Sequence, residues 1–340
     1  MSDFWKGKNV LVAGGSGFIG SHLAKTLVAK GARVTATIRS SEGIQPLVDL
    51  KGTLTNIEVA TADLTTVKDC VGVCKNQDVV VSAAHIDGST SYKSSHPAFI
   101  FRQNLLMTLN LLEASRITDV GRLLVISSAE VYSPGTGSPI QEANGLGGEP
   151  DPQTRGYAWS KRMTELAAQL YGSEYSLNVA IARPNNVYGP NDHFDSKRGR
   201  IIPILIKRAV EASEPITIWG SGSQVRSFLY VKDLVHGLLL LLEKIPITDP
   251  INFSGLETIT IRQLAQMIVH LVGTDVRIVT EPSKPAGPQS RILSIEKARE
   301  ILGWHPETAL EDGLKETIGF YRELQKFQAS IKPEVASMMQ

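Results

Sequence analysis

Short β-branched runs alternate with longer stretches of helical period through the first half of the chain. A parallel sheet with crossover helices produces this pattern. Lys8 to Ala13 reads as a first strand, followed by a helix from about Phe18 to Lys30. Further strands are expected over Arg33 to Ile38, Ile57 to Thr61, Asp78 to Ser82 and Arg122 to Ile126, with a long helix from about Pro97 to Arg116. A loop rich in Gly, Pro and Ser (Ser133 to Pro152) leads into a helix carrying Tyr157 and Lys161, and Leu177 to Ala182 reads as a sixth strand. After Arg183-Pro184 helices dominate, and strands such as Ile216 to Trp219 and Val276 to Val279 are short. The expected fold is therefore α/β, a doubly wound parallel sheet with a smaller, mostly helical C-terminal lobe. The sheet domain is placed at residues 1–185 plus a returning segment at about 224–254, entering near Arg226 to Asp233 and Pro250 to Phe253. The lobe takes 186–223 and 255–326, and residues 327–340, which lack periodicity, are expected to form a mobile tail.

Composition narrows the classes. With 340 residues, 42 % of them apolar and 20 % charged, the chain suits two closely joined globular lobes. A net charge of +1 spread along the chain excludes the concentrated basic surface that nucleic acid requires. The longest apolar stretch, Gly237 to Leu242, is too short to span a bilayer, so no membrane partner is expected. The first residues lack an apolar signal core, which together with the cysteines points to the cytoplasm. Cys70 and Cys74 are spaced as neighbours on one helix, and no second pair exists to complete a zinc site. They read as reduced structural thiols, with no metal expected.

Between the first strand and first helix lies Gly14-Gly15-Ser16-Gly17-Phe18-Ile19-Gly20. Glycines at 14, 17 and 20 allow a tight turn, close approach to a pyrophosphate and close helix–sheet packing, while the helix start at Phe18 and Ile19 offers free amides to the anion. This is a Rossmann-type dinucleotide fingerprint. At the end of the second strand an acidic residue would bind the ribose of NAD, but the chain has Arg39-Ser40-Ser41. A guanidinium with hydroxyls suits a 2′-phosphate. NADP(H) is the expected cofactor; NAD remains possible if Arg39 is solvated or stacks on adenine.

Tyr157 and Lys161 stand four residues apart, so on a helix both leave the same face. A free tyrosine titrates near ~10. The lysine ammonium and an oxidised nicotinamide are expected to favour the phenolate, a shift of about 3 units needing roughly 4 kcal/mol. Tyr157 then acts as base while hydride leaves the same carbon.

In order along the chain, these motifs resemble the extended short-chain dehydrogenase/reductase superfamily, in its nucleotide-sugar epimerase/dehydratase/reductase branch. The resemblance runs from about residue 7 to about 325. It includes the glycine run, Asp63-Leu64, Ser82-Ala83-Ala84, Asn104, Ser127-Ser128-Ala129-Glu130-Val131-Tyr132, Tyr157 with Lys161, and Arg183 through Pro190. Trp219-Gly220-Ser221-Gly222, Arg226, Asp233 and Leu302-Gly303-Trp304 follow in place. The resemblance implies that Asp63 and Leu64 meet adenine and that Ala83, Ala84, Asn104 and Pro184 lie beside the cofactor, with Ser127 either structural or facing the cofactor. It implies that Ser128 bonds the reacting oxygen, that Tyr157 is acid/base and that Lys161 holds the nicotinamide ribose. Asn186 and Arg226, with Arg291 as a second phosphate contact, would hold a nucleotide diphosphate, with His85 and Trp219 on the substrate side. Relatives are often homodimers, here through the helices Pro97 to Arg116 and Tyr157 to Tyr171.

The reaction implied is oxidation or reduction at carbon 4 of a hexose, as a 4-epimerase through a transient ketone or as a 4-ketoreductase. Glu130 occupies the position of the glutamate base of 4,6-dehydratases and of the cysteine of fucose-type epimerase-reductases. Ala129 stands where the dehydratases most like the dTDP-glucose enzymes carry an aspartate, which disfavours dehydration, although dehydratases using GDP-mannose lack that aspartate too. Gly189 to Phe194, Ile201-Ile202-Pro203 and Ala83 to Gly88 are most similar to GDP-fucose synthases. Those carry a histidine where this chain has Arg200, which cannot shuttle a proton; His193 reads as a solvated loop histidine, with substitution for the missing one as the alternative. A nucleotide-sugar 4,6-dehydratase using Glu130 is the runner-up, and a non-catalytic dinucleotide sensor and a reductase of small hydrophobic ketones are the further alternatives. The intact Ser128, Tyr157 and Lys161 argue against the sensor, and Trp219-Gly220 with Arg226 against the small-ketone reductase.

Overall fold

The structure is a computed structural model and describes residues 3–39, 47, 56–145, 147–195, 198–212, 215–244, 248–284 and 287–338. The chain begins β1 (Asn9–Ala13), α1 (Phe18–Ala29), β2 (Arg33–Ile38), β3 (Ile57–Thr61), α2 (Val67–Cys74) and β4 (Val79–Ser82). It continues α3 (Thr90–Ser95), α4 (Pro97–Ile117), β5 (Arg122–Ile126), α5 (Arg155–Tyr175), β6 (Val179–Pro184) and β7 (Val187–Tyr188). Then come α6 (Ile201–Glu211), β8 (Ile216–Trp219), β9 (Val225–Ser227), β10 (Leu229–Tyr230), α7 (Val231–Lys244) and β11 (Ile251–Phe253). The last elements are β12 (Thr258–Thr260), α8 (Ile261–Val272), β13 (Ile278–Glu281), β14 (Ser290–Arg291), α9 (Glu296–Leu302) and α10 (Leu310–Met338).

Val10 and Val12 enter one apolar cluster while Leu11 and Ala13 enter another. Strands buried on both faces read as continuous apolar runs, and this is why β1, β4 and β5 do. Seven parallel strands form the main sheet in the order β3-β2-β1-β4-β5-β6-β11. Leu23 and Leu27 of α1 and Leu234 and Leu238 of α7 cover one face; Cys70 and Cys74 of α2, Leu111 of α4 and Ala168 of α5 cover the other. The first cluster continues into Leu205 of α6, Leu264 of α8 and Leu314 of α10, so lobe and sheet share one core. Both cysteines are free, and burial pushes each thiol up to about 12.

Two expectations about the second half need correction. Ile251–Phe253 returns to the main sheet beside β6, but the stretch around Arg226 does not: β9 pairs with β12 and β14, and β10 with β7. The segment after Phe327, read as aperiodic, belongs to α10, which runs to Met338. No described helix is long and apolar enough to cross a membrane.

Candidate active site

The strand order reverses between β1 and β4, and the crevice at their carboxyl ends is where this topology binds ligands. Gly14 has φ +83°, and a Cβ there would sit 2.6 Å from the Ala84 Cα. A Cβ on Gly20 would lie 2.1 Å from the Gly14 carbonyl oxygen. The loop is thus pressed between β4 and α1 in a way only glycine permits. Gly17 caps α1 in extended conformation, and no side chain caps or acidifies the helix start at Phe18 and Ile19. Free amides at a helix N-terminus beside a tight glycine turn fit the pyrophosphate of a dinucleotide.

Around this cradle the expected cofactor residues divide. Ala83 and Ala84 follow β4 against Gly14, and Pro184 ends β6 beside Phe253. Arg39 is exposed just past β2, close enough to Asp63 to help lower its carboxyl, although the Thr65 hydrogen bonds do more. Ser40 and Ser41 lie outside the described residues. The Leu64 side chain is packed in the second apolar cluster and its carbonyl accepts from Asn110 Nδ2 at 3.1 Å. Asn104 directs both ends of its amide to the backbone of Ile86, at 2.6 and 3.0 Å, tying the loop after β4 to α4. The Ser127 hydroxyl donates to buried Glu165, so its side chain serves the interior and not the crevice. These bonds fix both side chains beside the crevice.

α5 delivers Tyr157 and Lys161 to the crevice, both buried. Gly156 lets the start of α5 approach α4 closely, since a Cβ there would sit 2.2 Å from the Pro97 carbonyl oxygen. Lys161 donates to the Ile126 carbonyl at 2.7 Å, and its Nζ lies 5.7 Å from the Tyr157 ring centroid. Ser128 lies two residues past the end of β5, near Tyr157, where its hydroxyl helps to lower the phenol. Its Oγ also accepts from the Glu130 amide at 3.1 Å.

The electrostatics of the crevice act on Tyr157, Lys161 and His85. Burial holds the Tyr157 phenol well above its ordinary value, and the carboxylates of Asp87 and Glu130 add to this; Ser128 and Arg200 oppose it. The expected phenolate belongs to the site with an oxidised nicotinamide bound, whose ring would add a positive charge beside Tyr157. Burial also lowers Lys161, to about 8. Burial lowers His85 to about 4, and its Nδ1 lies 3.0 Å from the Ala83 carbonyl oxygen. A carbonyl only accepts, so Nδ1 carries the proton and Nε2 is left as an acceptor.

Sequence reasoning missed Lys93. It is buried on α3 with Nζ 2.9 Å from Asp87 Oδ1, 2.5 Å from Glu130 Oε1 and 4.2 Å from the Tyr157 ring centroid. Burial opposes its charge, but the two carboxylates outweigh that and hold its pKa above the ordinary value. Arg200, just before α6, pairs with buried Asp192 at 3.2 Å and bears electrostatically on both Asp87 and Tyr157. His193 is exposed on the neighbouring loop.

In the lobe, parallel pairing of β14 with β9 sets Arg226 directly beside Arg291. Arg226 donates to the carbonyls of Val225 and Pro288 at 2.8 and 2.7 Å, and Arg291 faces Asp151 at 4.0 Å. Burial, reinforced by Arg291, lowers Arg226 to about 10. Two adjacent guanidiniums with one nearby carboxylate favour a bound anion. Asn186 adopts φ +41° and donates to the Ser227 carbonyl at 3.0 Å, holding β9 in place. Trp219 stands exposed at the end of β8, with Lys284 Nζ 5.9 Å from its ring centroid.

A glycine-rich turn at the start of α1, a Ser-Tyr-Lys set and a lobe with two adjacent arginines together define an oxidoreductase of the short-chain dehydrogenase type. Residues 10–253 match the NAD dependent epimerase/dehydratase family, and the chain belongs to that family. It is 37 % identical over 328 residues to a dTDP-4-dehydro-6-deoxy-D-allose reductase from a Streptomyces species, covering 94 % of this chain and 98 % of the relative. A GDP-L-fucose synthase from Sinorhizobium fredii is 33 % identical over 312 residues, covering 91 % and 93 %. The solved UDP-glucose 4-epimerase of Thermotoga maritima with UDP-glucose superposes with a TM-score of 0.83 at 28 % identity, covering 93 % and 99 %.

Proposed function

We propose that this enzyme reduces the 4-keto group of a nucleotide-diphosphate hexose, with NADPH as reductant. One observation carries the reading: α5 holds Tyr157 buried in the crevice near Ser128, with Lys161 Nζ 5.7 Å from its ring centroid, an arrangement able to pass a proton to a carbonyl oxygen. When bound, the cofactor supplies hydride from an uncharged reduced nicotinamide ring. Ser128 and Tyr157 hold the carbonyl oxygen between two hydroxyls, and Tyr157 passes its proton to that oxygen as negative charge develops on it. The Lys161 ammonium then stabilises the tyrosinate left behind. Arg226 and Arg291 grip the diphosphate, as their pairing in the lobe supports. Relatives named as a 4-dehydro-sugar reductase and a GDP-L-fucose synthase support the same chemistry.

NADPH is favoured over NADH by Arg39, the cation at the end of β2. A second reading, 4-epimerisation through a transient ketone, is supported by the likeness to the UDP-glucose 4-epimerase. The two separate on stoichiometry. Incubation with NADPH and dTDP-4-dehydro-6-deoxy-D-allose should consume one NADPH per keto-sugar; interconversion of two sugars without net NADPH loss would replace reduction by epimerisation.

The enzyme is proposed to act as a homodimer. Phe99 and Ile117 of α4 and Leu166, Leu170 and Tyr175 of α5 are exposed apolar side chains on two helices that pack together. Sedimentation showing only monomer at micromolar concentration would remove this assembly. A cytosolic setting accords with the free thiols of Cys70 and Cys74.

A further inference from the structure

Neither hydride transfer nor diphosphate binding calls for Lys93, yet it is fixed in the centre of the site. The Ser89 hydroxyl caps α3, accepting from the Tyr92 amide at 3.2 Å, and α3 packs against α4 and α5. An ammonium has three protons. Asp87, Glu130 and the face of the Tyr157 ring account for all of them. Glu130 is left half engaged: Oε1 receives Lys93, while Oε2 is buried with no hydrogen-bond partner.

The position of Glu130 matters because a ketone at carbon 4 acidifies the protons on carbons 3 and 5. A free carboxylate nearby would remove one. The proton would pass to the carboxylate, the C–H pair would form a carbon–carbon double bond and the carbonyl π pair would move onto oxygen as an enolate, opening the way to epimerisation or elimination. We infer that Lys93 sets the reaction outcome by pairing with Glu130, which withdraws that carboxylate as a base and leaves its second oxygen to accept a sugar hydroxyl. This rests on the carbon-4 reading above. A charge-assisted contact of 2.5 Å holds the carboxylate's electron density on the ammonium. Asp87 on the other side keeps the ammonium charged and in place. A buried acceptor without a donor is uncommon in folded proteins, and a ligand hydroxyl would complete it.

The test follows deuterium. dTDP-4-dehydro-6-deoxy-D-allose is incubated in heavy water with enzyme and oxidised NADP, and carbon-bound deuterium is read by mass spectrometry. Wild type should exchange no faster than the sugar alone. Lys93→Met should exchange at least about tenfold faster, because the C–H bond breaks to Glu130 and a solvent deuteron returns to carbon. Adding Glu130→Gln to Lys93→Met should abolish that gain. A Lys93→Met enzyme that still reduces the ketone but exchanges no faster than wild type would overturn the inference.

Glu130→Gln alone provides a second arm that leaves Lys93 in place. Losing a hydroxyl acceptor should raise KM by about tenfold and leave kcat within about threefold. A hundredfold fall in kcat at unchanged KM would make Glu130 a proton-transfer group after all. Failure of wild type to oxidise NADPH with this sugar or its GDP-linked counterpart would instead overturn the functional reading itself, a different signature from either result above.

Discussion

The catalytic strand end and the catalytic helix are joined by a buried polar network whose removal has a calculable cost. Arg183 of β6 donates to Glu165 of α5 through Nε at 2.9 Å and Nη2 at 2.7 Å. Its Nη1 donates to the Tyr132 hydroxyl at 2.9 Å and the Glu142 carbonyl at 3.0 Å. Glu165 also receives the Ser127 hydroxyl, next to Ser128, and Tyr132 donates onward to Asn252 of β11 at 2.6 Å. The Arg183 and Glu165 side chains are only 3 % and 2 % exposed. At 2.7 Å and an effective dielectric of 20, their attraction is about 6 kcal/mol before desolvation is subtracted. Arg183→Met would leave a buried carboxylate with one hydroxyl donor, a loss of about 3–5 kcal/mol. Urea unfolding of Arg183→Met, Glu165→Leu and the double variant checks this. The double variant should recover much of the loss, since no lone charge is left buried, giving a coupling of about 2 kcal/mol or more. Additive effects, or a single-variant loss under about 1 kcal/mol, would refute the view that this pair is desolvated and mutually dependent.

Three further outcomes follow from the same geometry. Gly14→Ala forces a Cβ into left-handed backbone and to 2.6 Å from the Ala84 Cα, so cofactor affinity measured by fluorescence titration should drop by at least about tenfold. Arg39→Ala should lower the preference for NADP over NAD by about tenfold, and an unchanged affinity ratio would remove the 2′-phosphate role. Because burial places Lys161 at about 8, its charge is present below that pH and lost above it. A kcat/KM profile should therefore be flat near neutrality and fall above about pH 8; a profile rising there would contradict the ammonium's role.

The local parts of the site were readable because spacing alone imposes them. Tyr157 and Lys161 share a face on any helix, and Gly14 and Gly20 make sense only where a strand turns tightly into a helix. The sheet was equally legible, since strands buried on both faces declare themselves as apolar runs. Contacts between distant segments were not. Lys93 meets Glu130 across 37 positions and sits on a helix of only six residues. A lysine near a serine cap looks like a solvated surface residue until α3 is folded against α5. The partners of Ser127 and Asn104 were hidden for a related reason: a motif gives a position along the chain, while Glu165 and the Ile86 backbone lie elsewhere in it. The spacing of Tyr157 and Lys161 shows the cation four residues away, while the burial and the Asp87 and Glu130 charges that raise the phenol come from distant segments. Strands of two or three residues such as β9 and β10 carry too little pattern to reveal which sheet they join.

The most direct test is the single-turnover rate of sugar reduction by Tyr157→Phe, measured at saturating NADPH beside its affinity for the cofactor. Removing the one hydroxyl that delivers a proton to the carbon-4 oxygen should slow reduction about a thousandfold while cofactor binding stays within about threefold. A Tyr157→Phe enzyme that reduces the ketone within about tenfold of wild type would mean the proton comes from elsewhere in the crevice.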